Sequence, residues 1–453
     1  MKFNELNLSE DIIKALNNLG YKNPSEVQEA SIPKLLKGED IIVKSQTGSG
    51  KTASFGIPVC EKINIEEKKV QCLVLTPTRE LAIQVKDELS NIGRIKKVRC
   101  AAIFGKQPFN EQIRELKQRV HIVVGTPGRV FDHMERGTLD LSEVNYVVID
   151  EADKMLSMGF IDQIKDILGE LRLNKTTALF SATFSKEIEE ICEEYMRNPM
   201  LLEVKSKVFN RDRIEESAIE IEEKNKVKSV YKMLKDEGIT CNELHGDMEQ
   251  KKRIEVMENF RDKHFKVLVC TDIAARGIHV DSIELVINYE VPMETESYVH
   301  RIGRTGRAGR EGKAITFVNH YEKKYLENVE EYIGYEIRKA SLPSDDEVKA
   351  GRKIFKESQK VQLKESKKPK KEVHGDIVKI HVNGGKKKKI RAFDIVGCFS
   401  NLPGLTGEDI GIIDVQDGFS YVDILNGKGD KVLKSFKEVT IKGKKVKIQK
   451  ARK

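Results

Sequence analysis

The chain has 453 residues, too many for one ordinary hydrophobic core and enough for two or three domains. It holds no apolar run of membrane-spanning length, and its first residues, Met1-Lys2-Phe3-Asn4-Glu5, form no signal-peptide core, so a cytoplasmic protein without a membrane partner is expected. The formal net charge of +8 belongs wholly to residues 374–453, where 17 Lys+Arg face 9 Asp+Glu; a basic terminal module on a neutral body points to a polyanion, of which nucleic acid is the commonest.

Residues 9–19 have the apolar spacing of an amphipathic helix, opened by Ser9 and closed by Gly20. Between 40 and 183, short apolar runs at 41–44, 71–75, 99–103, 121–124, 145–149 and 177–180 alternate with segments of helical period, which predicts a doubly wound parallel sheet. A charged stretch near 203–213 has the composition of a linker. Strands at 217–221, 266–270, 284–288 and 313–318 then predict a second α/β domain ending near 345. Residues 346–372, rich in Lys, Glu, Ser and Gln, read as a flexible or partly helical tether. The last stretch predicts strand 376–382, helix 391–399, strands 410–415 and 419–425, helix 430–437 and strand 439–450. That β-α-β-β-α-β order is the ferredoxin-like arrangement of RNA-recognition modules. The expected divisions are 1–205, 206–345, a basic linker at 346–373, and 374–453. Seven cysteines (Cys60, Cys72, Cys100, Cys192, Cys241, Cys270 and Cys398) are scattered without a C-x-x-C pair, the pattern of free thiols.

Two motifs carry chemistry. Ser45-Gln46-Thr47-Gly48-Ser49-Gly50-Lys51-Thr52 lies between the first predicted strand and a helix start, the context a phosphate-binding loop requires. Gly48 and Gly50 let successive backbone N–H groups turn toward phosphates at a helix N-terminus. Lys51 is placed to reach the β and γ phosphates and the Thr52 hydroxyl to ligate Mg2+. Asp150-Glu151-Ala152-Asp153 ends the run Asn145-Tyr146-Val147-Val148-Ile149, and carboxylates at the C-terminal edge of a buried parallel strand face a ligand crevice. Asp150 would hold Mg2+, and Glu151 would orient or deprotonate the attacking water. A glycine turn and a solvated acidic turn are the alternatives for each segment alone; together the two motifs make a nucleoside-triphosphate hydrolysis site.

Further segments follow in order: Gly20-Tyr21-Lys22-Asn23-Pro24-Ser25-Glu26-Val27-Gln28, Pro77-Thr78-Arg79-Glu80-Leu81-Ala82, Thr126-Pro127-Gly128-Arg129, Ser181-Ala182-Thr183, His245-Gly246, Gln250-Lys251-Lys252-Arg253, Thr271-Asp272-Ile273-Ala274-Ala275-Arg276-Gly277 and His300-Arg301-Ile302-Gly303-Arg304-Thr305-Gly306-Arg307. With them the sequence resembles, over nearly its whole length, the DEAD-box ATP-dependent RNA helicases of the DbpA type. The resemblance implies two RecA-like doubly wound parallel-sheet domains and an RRM-like α+β domain, with ATP and Mg2+ as cofactors and RNA as partner. It implies an adenine pocket at Gln28, whose amide offers both a donor and an acceptor, with Tyr21 and the isolated Phe3, and a nucleotide contact at Asp272. RNA contacts are implied at Pro77, Thr78, Arg79, Thr126, Gly128, Arg129, His245, Gly246, Gln250, Arg253, Thr271, Arg276 and Gly277. Asp153, Ser181, Thr183 and His300 are implied to couple the two ligands. Arg304 and Arg307 are implied to act as arginine fingers that enter the first domain's site on closure. The DbpA type further implies a structured large-subunit ribosomal RNA as target and a role in ribosome assembly; a monomer is expected.

In the C-terminal module, Gly418-Phe419-Ser420-Tyr421-Val422 resembles the core of the ribonucleoprotein octamer, whose aromatics stack bases. Asp417 replaces its usual basic residue, Ile424 its last aromatic, and the partner segment Ile377-Val378-Lys379-Ile380 has no aromatic. Binding is therefore expected to rely more on Lys386, Lys387, Lys388, Lys389 and the Lys442 to Lys453 edge.

One departure is large. Family members carry two strand-helix units between the positions of Thr183 and His245, whereas here Ile219-Glu220-Ile221 runs through one helix, about 224–237, into a strand at 239–242. A unit of roughly thirty residues is missing, and with it an RNA contact and an inner strand, so a weakened second domain is expected. His279 also stands where the family has Asp, and Gly105-Lys106 replaces a Gly-Gly. A helicase-derived RNA-binding protein with impaired catalysis is thus the alternative function; a P-loop ATPase that acts without RNA lacks any partner motif.

Overall fold

The computed structural model describes residues 2–44, 50–203, 214–221, 227–271, 283–306, 311–365 and 377–451. Ser45, Gln46, Thr47, Gly48, Ser49, Asp272, Arg276, Gly277, His279 and Arg307 lie outside them, as does the side chain of Gln250. Two compact units result: one holds the described residues up to 203 and from 377 onward, the other those between 214 and 365.

In the first unit, β1 (Ile41–Lys44), β2 (Cys72–Leu75), β3 (Cys100–Ile103), β4 (Ile122–Gly125), β5 (Tyr146–Asp150), β6 (Thr176–Ser181) and β7 (Met200–Glu203) form a parallel sheet in the order β3-β4-β2-β5-β6-β1-β7. Successive side chains point to opposite faces, and helices cover both, so each strand is a continuous apolar run. Val43, Val74, Val124 and Phe180 enter one core, Ile42, Leu75, Val123 and Leu179 the other. Asp40, immediately before β1, accepts from the backbone N–H groups of Thr177 (2.9 Å) and Arg197 (2.7 Å), tying the N-terminal ends of the strands together. Six strands were expected here. The seventh, β7, lies where the charged linker was to begin, and as a half-exposed edge strand it lacks the full apolar pattern.

The second unit contains β8 (Ile214–Glu220), β9 (Cys241–Leu244), β10 (Val267–Cys270), β11 (Leu285–Asn288), β12 (Gly312–Val318) and β13 (Lys339–Ala340). Four strands pair in the parallel order β11-β12-β8-β13, while β9 and β10 pair as a separate parallel ribbon. One helix, Val227–Asp236, joins β8 to β9. Glu216 on β8 accepts from Tyr298 Oη (2.8 Å) and Tyr335 Oη (2.7 Å), which clamps two helical segments on the sheet. Helix Asp345–Glu365 takes up most of the expected tether.

The C-terminal sheet contains β14 (Val378–Val382), β15 (Ile410–Val415), β16 (Ser420–Ile424), β17 (Glu438–Ile441) and β18 (Lys444–Lys450), in the order β15-β16-β14-β18-β17. Its first four members have the expected ferredoxin-like order, with helices Ala392–Ser400 and Gly429–Ser435 on one face. The single last strand expected over 439–450 is instead a hairpin. Lys442 (φ 51°) and Gly443 (φ 74°) both adopt the left-handed conformation of a two-residue turn, which reverses the chain.

Candidate functional site

The C-terminal edge of the first sheet divides into two halves. On one side lie the ends of β5, β6 and β1, paired so that Asp150 faces Phe180 and Lys44 faces Ser181. Gly50, left-handed at φ 87°, turns the chain into helix Lys51–Lys62. A Cβ there would lie 2.7 Å from Gln28 Nε2, so no other residue fits without displacing the glutamine. Gln28 donates to Gly50 O (3.2 Å) and accepts from Ser25 N–H (3.0 Å), using one donor and one acceptor of its amide and leaving one of each for a ligand. Phe3 and Tyr21 meet edge to face at 6.0 Å; Phe3 is buried in the core and so serves as a wall behind Tyr21.

Lys51, Asp150 and Glu151 are all buried, at 8%, 4% and 5% exposure. Burial lowers the Lys51 pKa, opposed by the charges of Asp150, Glu151 and Asp153. Burial and then the Glu151 charge push Asp150 up to about 7, against the pull of Lys51 and Lys154. Glu151 is left-handed (φ 54°, ψ 51°) and pairs with Lys154 at 2.9 Å. Two adjacent buried carboxylates beside Lys51 and Lys154 form a donor set that fits a hard divalent cation, because a cation removes the penalty of ionising Asp150. Asp153 turns the other way. Its Oδ2 accepts from Ala182 N–H (3.1 Å), Thr183 N–H (3.1 Å) and Thr183 Oγ1 (3.4 Å). Ser181 Oγ accepts from Asp153 N–H (3.3 Å) and donates to Thr183 O (2.6 Å).

On the other half, β2, β4 and β3 end together: Leu75 and Ile103 both pair with Gly125. Thr78 caps helix Arg79–Ile92 by accepting from Leu81 N–H, and Thr126 with Pro127 opens helix Pro127–Glu135. Pro77, Thr78, Arg79, Thr126, Gly128 and Arg129 are thus brought to one edge at two helix N-termini, an arrangement whose N–H groups can receive anions. Arg129 donates to Gln107 O (3.2 Å) and Gln112 Oε1 (3.0 Å) and lies 5.4 Å from the Phe109 ring, which makes it a brace of this edge. In the second unit, His245, Gly246 and Thr271 lie together where β9 and β10 end, with Thr271 N–H bonded to Leu244 O. Arg253 follows on helix Gln250–Arg261. Helix Thr295–Ile302 carries His300, and Arg304 just beyond it, 8% exposed, donates through Nε to His300 O at 3.0 Å.

The C-terminal sheet adds one ring to those expected. His381, one residue past the segment judged free of aromatics, pairs in register with Tyr421 and lies 5.2 Å from the Phe419 ring and 5.6 Å from that of Tyr421. Alternation along Val378-Lys379-Ile380-His381-Val382 was the signal that could have found it: Lys379 and His381 point away from the core, and Lys379 lies 5.9 Å from the Tyr421 ring. Lys386, Lys387 and Lys389 stand exposed on a loop whose Gly385 is pressed against Phe419 and Gln416. Lys388 and Lys389 carbonyls accept from Lys444 and Lys442, gathering the basic groups beside the aromatic trio.

Residues 25–191 match the DEAD/DEAH box helicase family, 200–309 the helicase conserved C-terminal domain, and 379–450 the DbpA RNA binding domain. The chain is 48% identical to the ATP-dependent RNA helicase DbpA of Bacillus subtilis, with 100% of the chain and 99% of the relative covered. The chain belongs to the DEAD-box ATP-dependent RNA helicases of the DbpA type. It is also 41% identical to the helicase CshA of Geobacillus kaustophilus, over 77% of the chain and 80% of the relative. Among solved structures, Saccharomyces cerevisiae Dbp5 bound to RNA and ADP BeF3 matches with a TM-score of 0.66 at 30% identity, covering 79% of this chain and 99% of that one. Mss116p bound to ssRNA and AMP-PNP matches with a TM-score of 0.66 at 27% identity, covering 80% and 84%. The helicase accordingly has two RecA-like parallel sheets and an RNA-binding sheet domain, and uses ATP. Among the described residues no helix is long and apolar enough to cross a membrane.

Proposed function

We propose that this helicase couples RNA-stimulated ATP hydrolysis to local separation of short RNA duplexes, acting in the cytoplasm as a monomer on structured large-subunit ribosomal RNA during ribosome assembly. The observation that carries the coupling is the divided sheet edge: Asp153 joins the carboxylate pair of the nucleotide half to Ser181, Ala182 and Thr183 through four hydrogen bonds. Lys51 holds the β and γ phosphates, Gln28 reads adenine, and Glu151 takes the proton of the attacking water. Mg2+, held by Thr52 and Asp150, would neutralise charge on the phosphates. Arg304 and Arg307 belong to a different unit from Lys51, so hydrolysis requires the two to be brought together, which RNA spanning both would favour. The DbpA resemblance supports the ribosomal target.

A second reading, an RNA-binding protein with impaired catalysis, is favoured by the second sheet, which among the described residues comes in two pieces with one connecting helix. The alignment with the Bacillus subtilis relative runs over 476 positions against 453 residues here, so at least 23 positions face a gap in this chain. A deletion near 222–238 accounts for both. Paired ATPase and strand-displacement assays decide, with Glu151→Gln as control. The first reading expects hydrolysis stimulated by structured rRNA and a fall in the variant of at least ~100-fold; equal hydrolysis with and without RNA sinks it.

A further inference from the structure

The open face of the C-terminal sheet is not uniformly suited to RNA. Phe419, Tyr421 and Asp423 alternate along β16 and share this face, and Asp414 on β15 pairs in register with Tyr421. Two carboxylates therefore flank the ring expected to stack a base; Lys379, opposite Asp423 in register and 4.0 Å from it, and Gln416, which donates to Asp414 at 2.9 and 3.0 Å, offset them only in part, and the charge left over repels the phosphates that accompany the base. Within the first unit both are met by arginines from the loop between helix Arg79–Ile92 and β3. Arg94 donates to Asp423 through Nε (3.2 Å) and Nη2 (3.3 Å), a two-pronged pair in which the Asp423 side chain is 3% exposed and the Arg94 side chain 22%. Arg99 donates to the Ile413 carbonyl and carries its charge beside Asp414. Glu115 also faces Asp414 and Arg119 faces Arg99, like charges that oppose the seam, while Lys379 adds a second cation at Asp423. An apolar seal of Ala15 and Ile95 against Ile377 and Leu425, all buried, closes its side, with Lys14 bonded to Asn426 at 3.1 Å.

We propose that the ATP-binding domain clamps the C-terminal sheet at its Asp423 end and thereby makes that sheet competent for RNA, with Arg94 and Arg99 as positioning residues that cancel Asp423 and Asp414 without touching RNA. The clamp covers the acidic end and leaves half-exposed the Phe419, Tyr421 and His381 end, which borders the lysine loop. Binding RNA and closing the clamp then favour each other by the same factor. This inference rests on the reading of the sheet as an RNA face.

The test uses the full chain with dyes at the exposed positions Lys68 and Glu438, and a fluorescein-labelled RNA stem-loop carrying a single-stranded extension. Arg94→Glu is expected to lower energy transfer and to weaken stem-loop binding about tenfold, whereas Arg94→Glu with Asp423→Arg restores both, which lost folding of either part would not permit. Tyr421→Ala is expected to weaken binding with transfer unchanged. Transfer unmoved by Arg94→Glu overturns the clamp, and lowered transfer with equal or tighter binding overturns its role in RNA competence. Binding unmoved by Tyr421→Ala overturns the RNA-face reading itself and the inference with it.

Discussion

Asp150 and Glu151 occupy neighbouring positions in different surroundings. Glu151 accepts a left-handed backbone that costs a residue with a Cβ about 1–2 kcal/mol, and its charge is met by Lys154. Asp150, at the end of a buried strand, is pushed up to about 7 by burial and by Glu151. A carboxyl whose folded pKa lies above its unfolded value stabilises the fold at low pH and loses that contribution as pH rises through the folded value. The ligand-free helicase is therefore expected to melt at progressively lower temperature as pH rises from about 4 to about 7, with little further change above. Turnover runs the opposite way, because a cation needs the ionised carboxylate, so the rate should fall as pH drops below about 7. Raising Mg2+ should move that acid limb to lower pH; a limb that ignores Mg2+ in a pH-rate series removes Asp150 from metal binding.

The turn after β5 and the turn after β6 act as one element through Asp153. Asp153→Ala leaves the N–H groups of Ala182 and Thr183 without their acceptor, at a cost of about 1–3 kcal/mol in that turn. The expected result is retained ATP binding with loss of RNA stimulation and of strand displacement, read from equilibrium nucleotide titration beside the two rate assays. Full stimulation in the variant removes the network from coupling. Much of this edge was legible in the sequence, because Lys51, Asp150 and Thr126 each follow a buried apolar run whose end has to point at the crevice. Arg129 was harder to place: its type and position suit phosphate, yet the Gln107 carbonyl, Gln112 and the Phe109 ring that hold it come from a neighbouring segment that no spacing reveals. His381 lies inside the expected strand 376–382 but escaped because only its first part, Ile377 to Ile380, was compared with the partner strand of the octamer. The Lys442-Gly443 turn escaped because a run of alternating residues conceals a reversal unless the glycine is read as a break.

At the scale of the molecule, the two RecA-like sheets are unequal. The described residues of the second form apolar clusters of 10 and 2 buried members, against 30 and 25 around the first. Among the described residues the second unit thus buries less apolar surface, and less burial offsets less chain entropy. Calorimetry of the full chain is expected to show two transitions, with the second unit unfolding first and Mg-ATP raising the later one. One cooperative transition contradicts this. A weaker second domain is the expectation that the missing strand-helix unit raises; how the described strands pair was not legible, since pairing is settled by contacts far apart in sequence. That pairing leaves β11 at the end of the four-strand order, with Leu285 46% and Ile287 50% exposed. A sheet edge lined with large apolar side chains and carrying neither proline nor lysine is a template for a strand from another molecule. Pairing of that kind is second order in the chain, so it would make concentration itself a variable of the protein's behaviour.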